Sequence, residues 1–216
     1  MLINDCSVID HNYRTMSNTP LYYAVKARYL DAAGLLLDHG ADPNKGSLIK
    51  LAYDRNHDMS MMELLIQYGI DIPDNCMADI ISANRTILIE AIMNYGTYHH
   101  RSYLLRYSVR CNNEPMISTL ISMGIDNDIK IDALYIARSP NAIRALIGTG
   151  ILDVNTKNID GRTPIYEAAD VDCARMLIQY GADLNVTDNH GLTPYKYIQI
   201  YRSNDTKLGA YMLFTS

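Results

Sequence analysis

The chain has 216 residues, 48% of them hydrophobic and 20% charged, a balance that fits a folded chain and excludes bulk disorder. A formal net charge of −5 and the absence of any dense Lys/Arg run exclude the electrostatic footprint of a nucleic-acid binder. No stretch approaches the roughly 18 uninterrupted apolar residues of a membrane span, and Asp5 and Asp10 stand where a secretory leader is apolar. The expected location is therefore the cytoplasm, with the nucleus also open. Cys6, Cys76, Cys111 and Cys173 are scattered, without the clustered spacing of a zinc site or a disulfide framework, so free thiols in a reducing compartment are expected. Trp is absent, and 17 Tyr stand against one Phe. Tyr, Ile and Asn share A/T-rich codons, which points to an A/T-biased genome.

Residues 1–18 hold a short apolar patch (Cys6, Val8, Ile9) between polar residues and read as an N-terminal cap or a degenerate half-repeat. Thr19 is then a natural helix N-cap, with Pro20 at the first helical position where a missing N–H costs nothing. A second helix from Leu30 to His39 ends at Gly40, the residue type that most easily takes the left-handed conformation beyond a helix. Later units are placed by their terminating glycines Gly40, Gly69, Gly96, Gly124, Gly150 and Gly181, which recur at intervals of 26 to 31 residues. The second unit runs from Ser47 and the third pairs Met77–Ala83 with Ile87–Gly96. In the fourth, which starts at Tyr103, Ser108 takes the small position.

The fifth unit supplies an internal check. Leu134 to Gly150 aligns without gaps to Ile165 to Gly181, placing Tyr135 on Tyr166, Ala137 on Ala168, Arg144 on Arg175 and Leu146 on Leu177. In the sixth, Thr163-Pro164 is expected to start an apolar, small-residue helix through Ile165, Ala168 and Ala169. A seventh unit opens at Asp188, with Lys207–Phe214 as its second helix. That tail is expected either to pack as an imperfect cap or to leave an apolar edge around Tyr211, Met212, Leu213 and Phe214. Strand signals are nearly absent, and the linkers suit hairpin-like loops. The reading is an all-α solenoid of about seven irregular helix-pair units, near residues 19–46, 47–74, 75–101, 102–129, 130–158, 159–187 and 188–216.

The segments TPLYYAV…LLLDHGADPN, from Thr19, and GRTPIYEAA…LIQYGADLN, from Gly161, resemble ankyrin repeats. The likeness is strongest in the first, sixth and seventh units. With the short irregular units and the Ile/Asn/Tyr bias, the chain resembles the poxvirus ankyrin-repeat host-range and immune-evasion proteins. That resemblance implies a non-enzymatic module that binds a host protein through the ankyrin surface. The implied targets are innate-immune or cell-death components, such as the NF-κB pathway, death-signalling kinases or restriction factors. It also implies an alternative, the substrate-recruiting part of a Skp1-dependent ubiquitin-ligase receptor. An F-box-like segment has no room after the seventh unit, so an adaptor is expected only if the parent protein is longer.

No phosphate-binding loop, HExxH or GxSxG motif is present, and neither an enzyme nor a cofactor is expected. His99-His100 cannot easily share a metal, since adjacent helical residues diverge by about 100°, and it reads as an exposed inter-repeat loop. Asp126-Asn127-Asp128 and Asp170-Val171-Asp172 lack the Gly and terminal Glu of a calcium loop and read as solvated loop acids. The Thr and Gly residues at Thr19, Thr163, Gly40 and Gly181 are assigned to the fold.

What remains for function is surface. The exposed positions of the first helices are expected to include Tyr23 and Lys26, Asp79 and Ser82, Tyr107 and Arg110, Ile136 and Ser139, and Glu167 and Asp170. Tyr and Arg are the side chains most enriched in binding hot spots. Tyr23, Lys26, Tyr107, Arg110 and Glu167 are therefore the candidate partner-binding residues, with no catalytic, cofactor or metal site expected.

Overall fold

The computed structural model describes residues 19–53, 59–148 and 152–215. The expected N-terminal cap and the terminating glycine Gly150 lie outside the described residues. Thirteen α-helices and one 3₁₀ turn are formed among the described residues, with no strand. The chain divides into two compact units, residues 1–101 and 102–216.

In the first unit the helices are α1 (Pro20–Lys26), α2 (Leu30–Asp38), α3 (Leu48–Ala52), α4 (Ser60–Gln67), α5 (Asp74–Ser82) and α6 (Thr86–Tyr95). α1 starts as its sequence dictates. Thr19 Oγ1 accepts the Tyr22 N–H at 3.1 Å, and Pro20 supplies a fixed φ at the first helical position. α1 packs on α2 and α3, α2 on α4, and α4 on α6. Their buried stripes (Leu21 and Val25, Ala33 and Leu37, Met62 and Ile66, Leu88 and Ile92) follow the helical period. At ~25 cal/mol per Å² of apolar surface, each such Leu or Ile contributes about 1.5–3 kcal/mol.

α7 (Tyr98–Arg110) contains the division between the units, and the second unit continues with α8 (Glu114–Ser122), α9 (Asn127–Tyr135) and α10 (Pro140–Ile147). A 3₁₀ turn (Pro164–Glu167), α11 (Val171–Gln179), α12 (Pro194–Tyr201) and α13 (Thr206–Thr215) complete it. α10 rests on α8 and α9, α11 on α10, and α13 on α11 and α12. Of the four tail residues expected at an apolar edge, Met212 is buried, Tyr211 is half-buried, and Leu213 and Phe214 are exposed. Leu208 and Gly209 are buried as well.

Several expectations are corrected. The first helix of the sixth unit does not form; Pro164–Glu167 makes one 3₁₀ turn, and Ala168 leaves it at φ −49°, ψ 126°. The reason lies just downstream, because Asp170 must be extended to cap α11, where its Oδ1 accepts the Cys173 N–H at 2.8 Å. The carbonyl of Ala168 is satisfied from outside, by the Arg202 guanidinium at 2.8 Å. Thr163 differs from Thr19 in consequence. Its buried hydroxyl makes no capping bond, since the Tyr166 N–H, the counterpart of the Tyr22 N–H that Thr19 meets, donates instead to the Thr163 carbonyl at 3.1 Å. The helix expected from Tyr103 begins at Tyr98. Gly40, Gly69, Gly124 and Gly181 take φ between 80° and 90°, the left-handed stop predicted for them, but Gly96 sits at φ −67° because α7 restarts almost at once.

Candidate interaction surface

The loops that present any binding face are held by side chains that reach from one loop to the next. Asn44 Nδ2 donates to the Gly69 carbonyl at 3.2 Å, and Asn44 Oδ1 accepts the Asp71 N–H at 2.7 Å. Asn155 repeats the pattern on Gly181 (2.9 Å) and Asp183 (2.8 Å). The tyrosines that the sequence aligns share a role as well. The Tyr135 hydroxyl lies 2.8 Å from the Thr156 carbonyl oxygen and 2.7 Å from that of Arg162. The Tyr166 hydroxyl lies 2.8 Å from Val186 O and 2.7 Å from Leu192 O. Each phenol thus shares one proton between two carbonyls of the following loop, and burial pushes each up to about 12.

Those loops are themselves closed by a carboxylate or an amide. Asn158 Oδ1 accepts the N–H groups of Asp160 (2.9 Å) and Arg162 (3.0 Å). Thirty residues on, Asp188 Oδ1 accepts those of His190 and Leu192, both at 2.9 Å. The Asp188 side chain is fully buried, with its second oxygen 3.5 Å from Arg162 Nε. Burial pushes this carboxyl up, but the two N–H groups and the guanidinium outweigh it and hold the group below the usual carboxylate range. Arg162 also lies 4.3 Å from the centre of the Tyr197 ring.

The candidate residues fall into separate places. Tyr23 and Lys26 stand one turn apart on α1, in the first unit, and both are exposed. Lys26 Nζ lies 5.9 Å from the Tyr22 ring, which meets Tyr23 edge to face at 5.5 Å. Tyr107 and Arg110 stand one turn apart on α7, in the second unit, opposite the buried Leu104, Leu105, Ser108 and Val109. The Tyr107 ring stacks on Tyr103 at 5.7 Å and 14°, while Arg110 is exposed. Glu167 is half-buried at the end of the 3₁₀ turn, and its charge acts on the Tyr135 phenol.

Other surface candidates prove to belong to the fold. Ser139 is the N-cap of α10, accepting the Ala142 N–H at 3.2 Å and donating to Asn112 Oδ1. Asp170, exposed as expected, is the N-cap already described, so this hydroxyl and this carboxylate each also serve a helix start. Asp79 accepts the Tyr53 hydroxyl, Ser82 donates to the Ala78 carbonyl, and Ile136 is the C-cap of α9.

His99-His100 is not an exposed loop. Both residues lie in the first turn of α7, and His100 is buried, with Nε2 3.3 Å from the Ile72 nitrogen and 3.4 Å from Asp71 Oδ1. The preceding loop is short enough to dock the helix start on residues 71–72, a long-range contact that no local pattern announces. His99 is 3.7 Å from Asp74. Asp172 pairs with Arg175 at 2.8 Å, and so serves its own helix. Among the described residues no three His, Cys, Asp or Glu side chains gather as metal ligands, and no helix is long and apolar enough to cross a membrane. Sequence reasoning missed Tyr103, whose ring supports Tyr107, and Ala27, Tyr29 and Leu36, which line one apolar groove with Tyr23 and Lys26. The i, i+4 spacing of Tyr103 and Tyr107 was the available signal for the first.

Helix pairs joined by asparagine-tied loops and ended by left-handed glycines define a repeat protein of the ankyrin class. Ankyrin repeats (3 copies) match residues 105–188 and a further ankyrin repeat matches residues 16–47. The chain belongs to the ankyrin-repeat proteins, whose repeats are protein-binding modules. It is similar to the ankyrin repeat protein FPV018 of fowlpox virus (strain NVSL), with 33% identity over 186 residues that cover 82% of this chain and 23% of that protein. It is also similar to FPV031 of the same virus, at 28% identity, covering 70% of this chain and 42% of the relative. The chain thus spans less than half the length of either. Among solved structures, the ankyrin repeat domain of Bcl-3, described as a unique member of the IκB family, superposes with a TM-score of 0.50 at 15% identity. That match covers 92% of this chain and all of that domain, and it shows the fold alone.

Proposed function

We propose that this chain is a non-enzymatic viral host-range or immune-evasion module that binds a host innate-immune or cell-death protein. The observation that carries the reading is α7. Its apolar side is consumed by the fold, while Tyr107, stacked on Tyr103, and Arg110 occupy the other side as a pre-ordered aromatic and a cation. Stacking restricts the tyrosine before binding, which lowers the entropy a partner must overcome. Similarity to fowlpox virus ankyrin repeat proteins supports the viral assignment. The work this module performs is occupancy, blocking or redirecting the protein it holds.

The test is affinity capture from infected cells with the wild type, a Tyr107→Ala/Arg110→Ala variant and a Tyr23→Ala/Lys26→Ala variant. Loss of a captured host protein by about tenfold or more in the α7 variant, with unchanged circular dichroism, supports this face. Retention in the α7 variant shows that the face is wrong, and loss only in the α1 variant moves the site to the first unit.

The length of the fowlpox relatives favours one second reading, in which a longer parent protein carries a Skp1-binding segment and this chain selects the substrate. Co-purification of the adaptor with the longer protein, but not with residues 1–216, is the expected result.

A further inference from the structure

The second unit carries seven arginines, and their pairing divides them into two sets. Arg144 lies 3.7 Å from Glu114, Arg175 2.8 Å from Asp172 and Arg202 2.7 Å from Asp205, while Arg162 has Asp160 at 3.6 Å and Asp188 at 3.5 Å. Arg106, Arg110 and Arg138 are exposed, and among the described residues no carboxylate stands within ion-pair distance of them. Asp128 and Asp132, the exposed acids of α9, pair with none of the three. These three cations are neighbours. Arg106 and Arg110 stand at i and i+4 on the exposed side of α7, with Tyr107 between them. The Ser139 hydroxyl donates to Asn112 Oδ1, which fastens the turn carrying Arg138 to the turn that follows Arg110. In a chain of net charge −5, cations gathered on one face without a carboxylate of their own are open to one from outside.

We infer that the partner presents an acidic protein segment to this face, its Asp or Glu carboxylates on Arg106, Arg110 and Arg138 and an apolar side chain against the stacked Tyr103 and Tyr107; this rests on the reading of α7 as the binding face. Three features select this occupant. A guanidinium receives a carboxylate through two parallel hydrogen bonds, a geometry that lysine lacks. The Cβ atoms of residues at i and i+4 are about 5–6 Å apart, and Arg138 stands on a separate turn, so the charges form a row rather than converging on a point. A row fits successive carboxylates better than a single phosphate. The overall negative charge repels a long polyanion such as nucleic acid, whereas a short acidic segment meets only the local cations.

Fluorescence anisotropy on the full chain tests this, with a short fluorescein-labelled Glu-rich peptide as the probe beside a Gln-for-Glu peptide and a DNA duplex. The Glu-rich peptide should bind, less tightly as salt rises, and Arg106→Ala/Arg110→Ala/Arg138→Ala should weaken it by about tenfold or more. Removing three exposed lysines elsewhere, Lys50→Ala/Lys196→Ala/Lys207→Ala, changes the net charge equally and should leave binding within about twofold of wild type. All six side chains are exposed, so both variants should melt as the wild type does. Equal losses in the two variants, equal binding of the Gln peptide, tighter binding of the duplex, or no binding of the Glu-rich peptide overturns the proposal. Capture of the host protein from infected cells separates this inference from the face it rests on. Loss with Tyr107→Ala but retention with the arginine variant keeps the face and overturns the acidic partner, whereas retention with both overturns the face itself.

Discussion

Replacing Asp188 separates two contributions that its carboxylate combines, because the protein contains its own control. Asn158 closes the equivalent turn one unit earlier with a neutral amide, at nearly the same distances. Asp188→Asn should therefore keep both turn hydrogen bonds and lose only the charge 3.5 Å from Arg162 Nε. Asp188→Ala loses everything. Hydrogen bonds to a charged group contribute about 1.5–3 kcal/mol each, and stranding a buried ion-pair partner costs about 3–5 kcal/mol. Arg162 retains Asp160 at 3.6 Å and the Tyr197 ring, so the lower end applies. We expect about 3 kcal/mol for the alanine and about 1 kcal/mol for the asparagine, read by urea unfolding at pH 7. In a chain of this size that difference corresponds to roughly 4–8 °C in melting temperature. The pH dependence adds a check. The folded carboxyl is held below its ordinary value, so its stabilisation is fully present above the unfolded pKa near ~3.9 and disappears as pH falls through the lower folded value. The wild type should lose stability through that acid window more steeply than Asp188→Asn. Equal costs for the two substitutions would refute the claim that an amide suffices, and a cost below about 1 kcal/mol for Asp188→Ala would refute the claim that this side chain organises the loop.

Tyr135→Phe and Tyr166→Phe should each cost about 1–3 kcal/mol, measured by thermal unfolding, because each strips the shared proton from two loop carbonyls. Burial pushes their phenols up to about 12, so the stabilisation they give is complete below the ordinary value near ~10 and is lost as pH rises toward 12; ultraviolet titration should show one late-ionising tyrosine fewer in each variant than in the wild type. Burial raises the Cys173 thiol to about 12, whereas Cys111 is exposed, so iodoacetamide at pH 8 should label Cys111 and spare Cys173 until urea unfolds the second unit. Arg202 donates to the Ala168 carbonyl at 2.8 Å while forking onto Asp205 at 2.7 and 2.9 Å. Arg202→Lys should therefore be nearly as destabilising as Arg202→Ala, about 2 kcal/mol, and full rescue by lysine would show that charge alone suffices.

The all-helical repeat architecture was legible because its signals are local. Thr19 with Pro20, and Gly40 and Gly181 in left-handed geometry, need only their own helix ends to act. The buried stripes that follow the helical period, with Leu37, Ile66, Leu120 and Leu177 among them, are likewise a local feature. What escaped depends on partners some 20 to 36 residues away. The alignment set Tyr135 on Tyr166 but could not show that both hydroxyls reach the next loop, and it placed a helix at Ile165–Ala169 where the needs of Asp170 and Arg202 leave one 3₁₀ turn. Ser139 and Asp170 occupy positions that a helix ruler marks as exposed, yet each side chain is turned back to cap a helix start. Tyr107 and Arg110 lie on the side of α7 away from its buried residues Leu104, Leu105, Ser108 and Val109.

These long-range ties also account for how the middle of the chain keeps the fold while losing the repeat signature. The backbone groups of each inter-helix loop need hydrogen-bond partners, and a buried one left without a partner costs free energy. At Gly69 and Asp71 the partner is Asn44 from the loop before; at the neighbouring Ile72 it is His100 from the helix after. At Gly181 and Asp183 it is Asn155, and at the carbonyls of Val186 and Leu192 it is Tyr166. An amide, an imidazole and a phenol thus do one job, from either side along the chain. Selection on such a job fixes the presence of a polar atom at a place, not the residue type or its position in the motif. At Gly69-Ile70-Asp71, which stands in the place of a GAD, the ties from Asn44 and His100 still meet the loop's backbone groups. Tyr107 and Arg110, on the side of α7 away from its buried residues, are not among the side chains that make these ties.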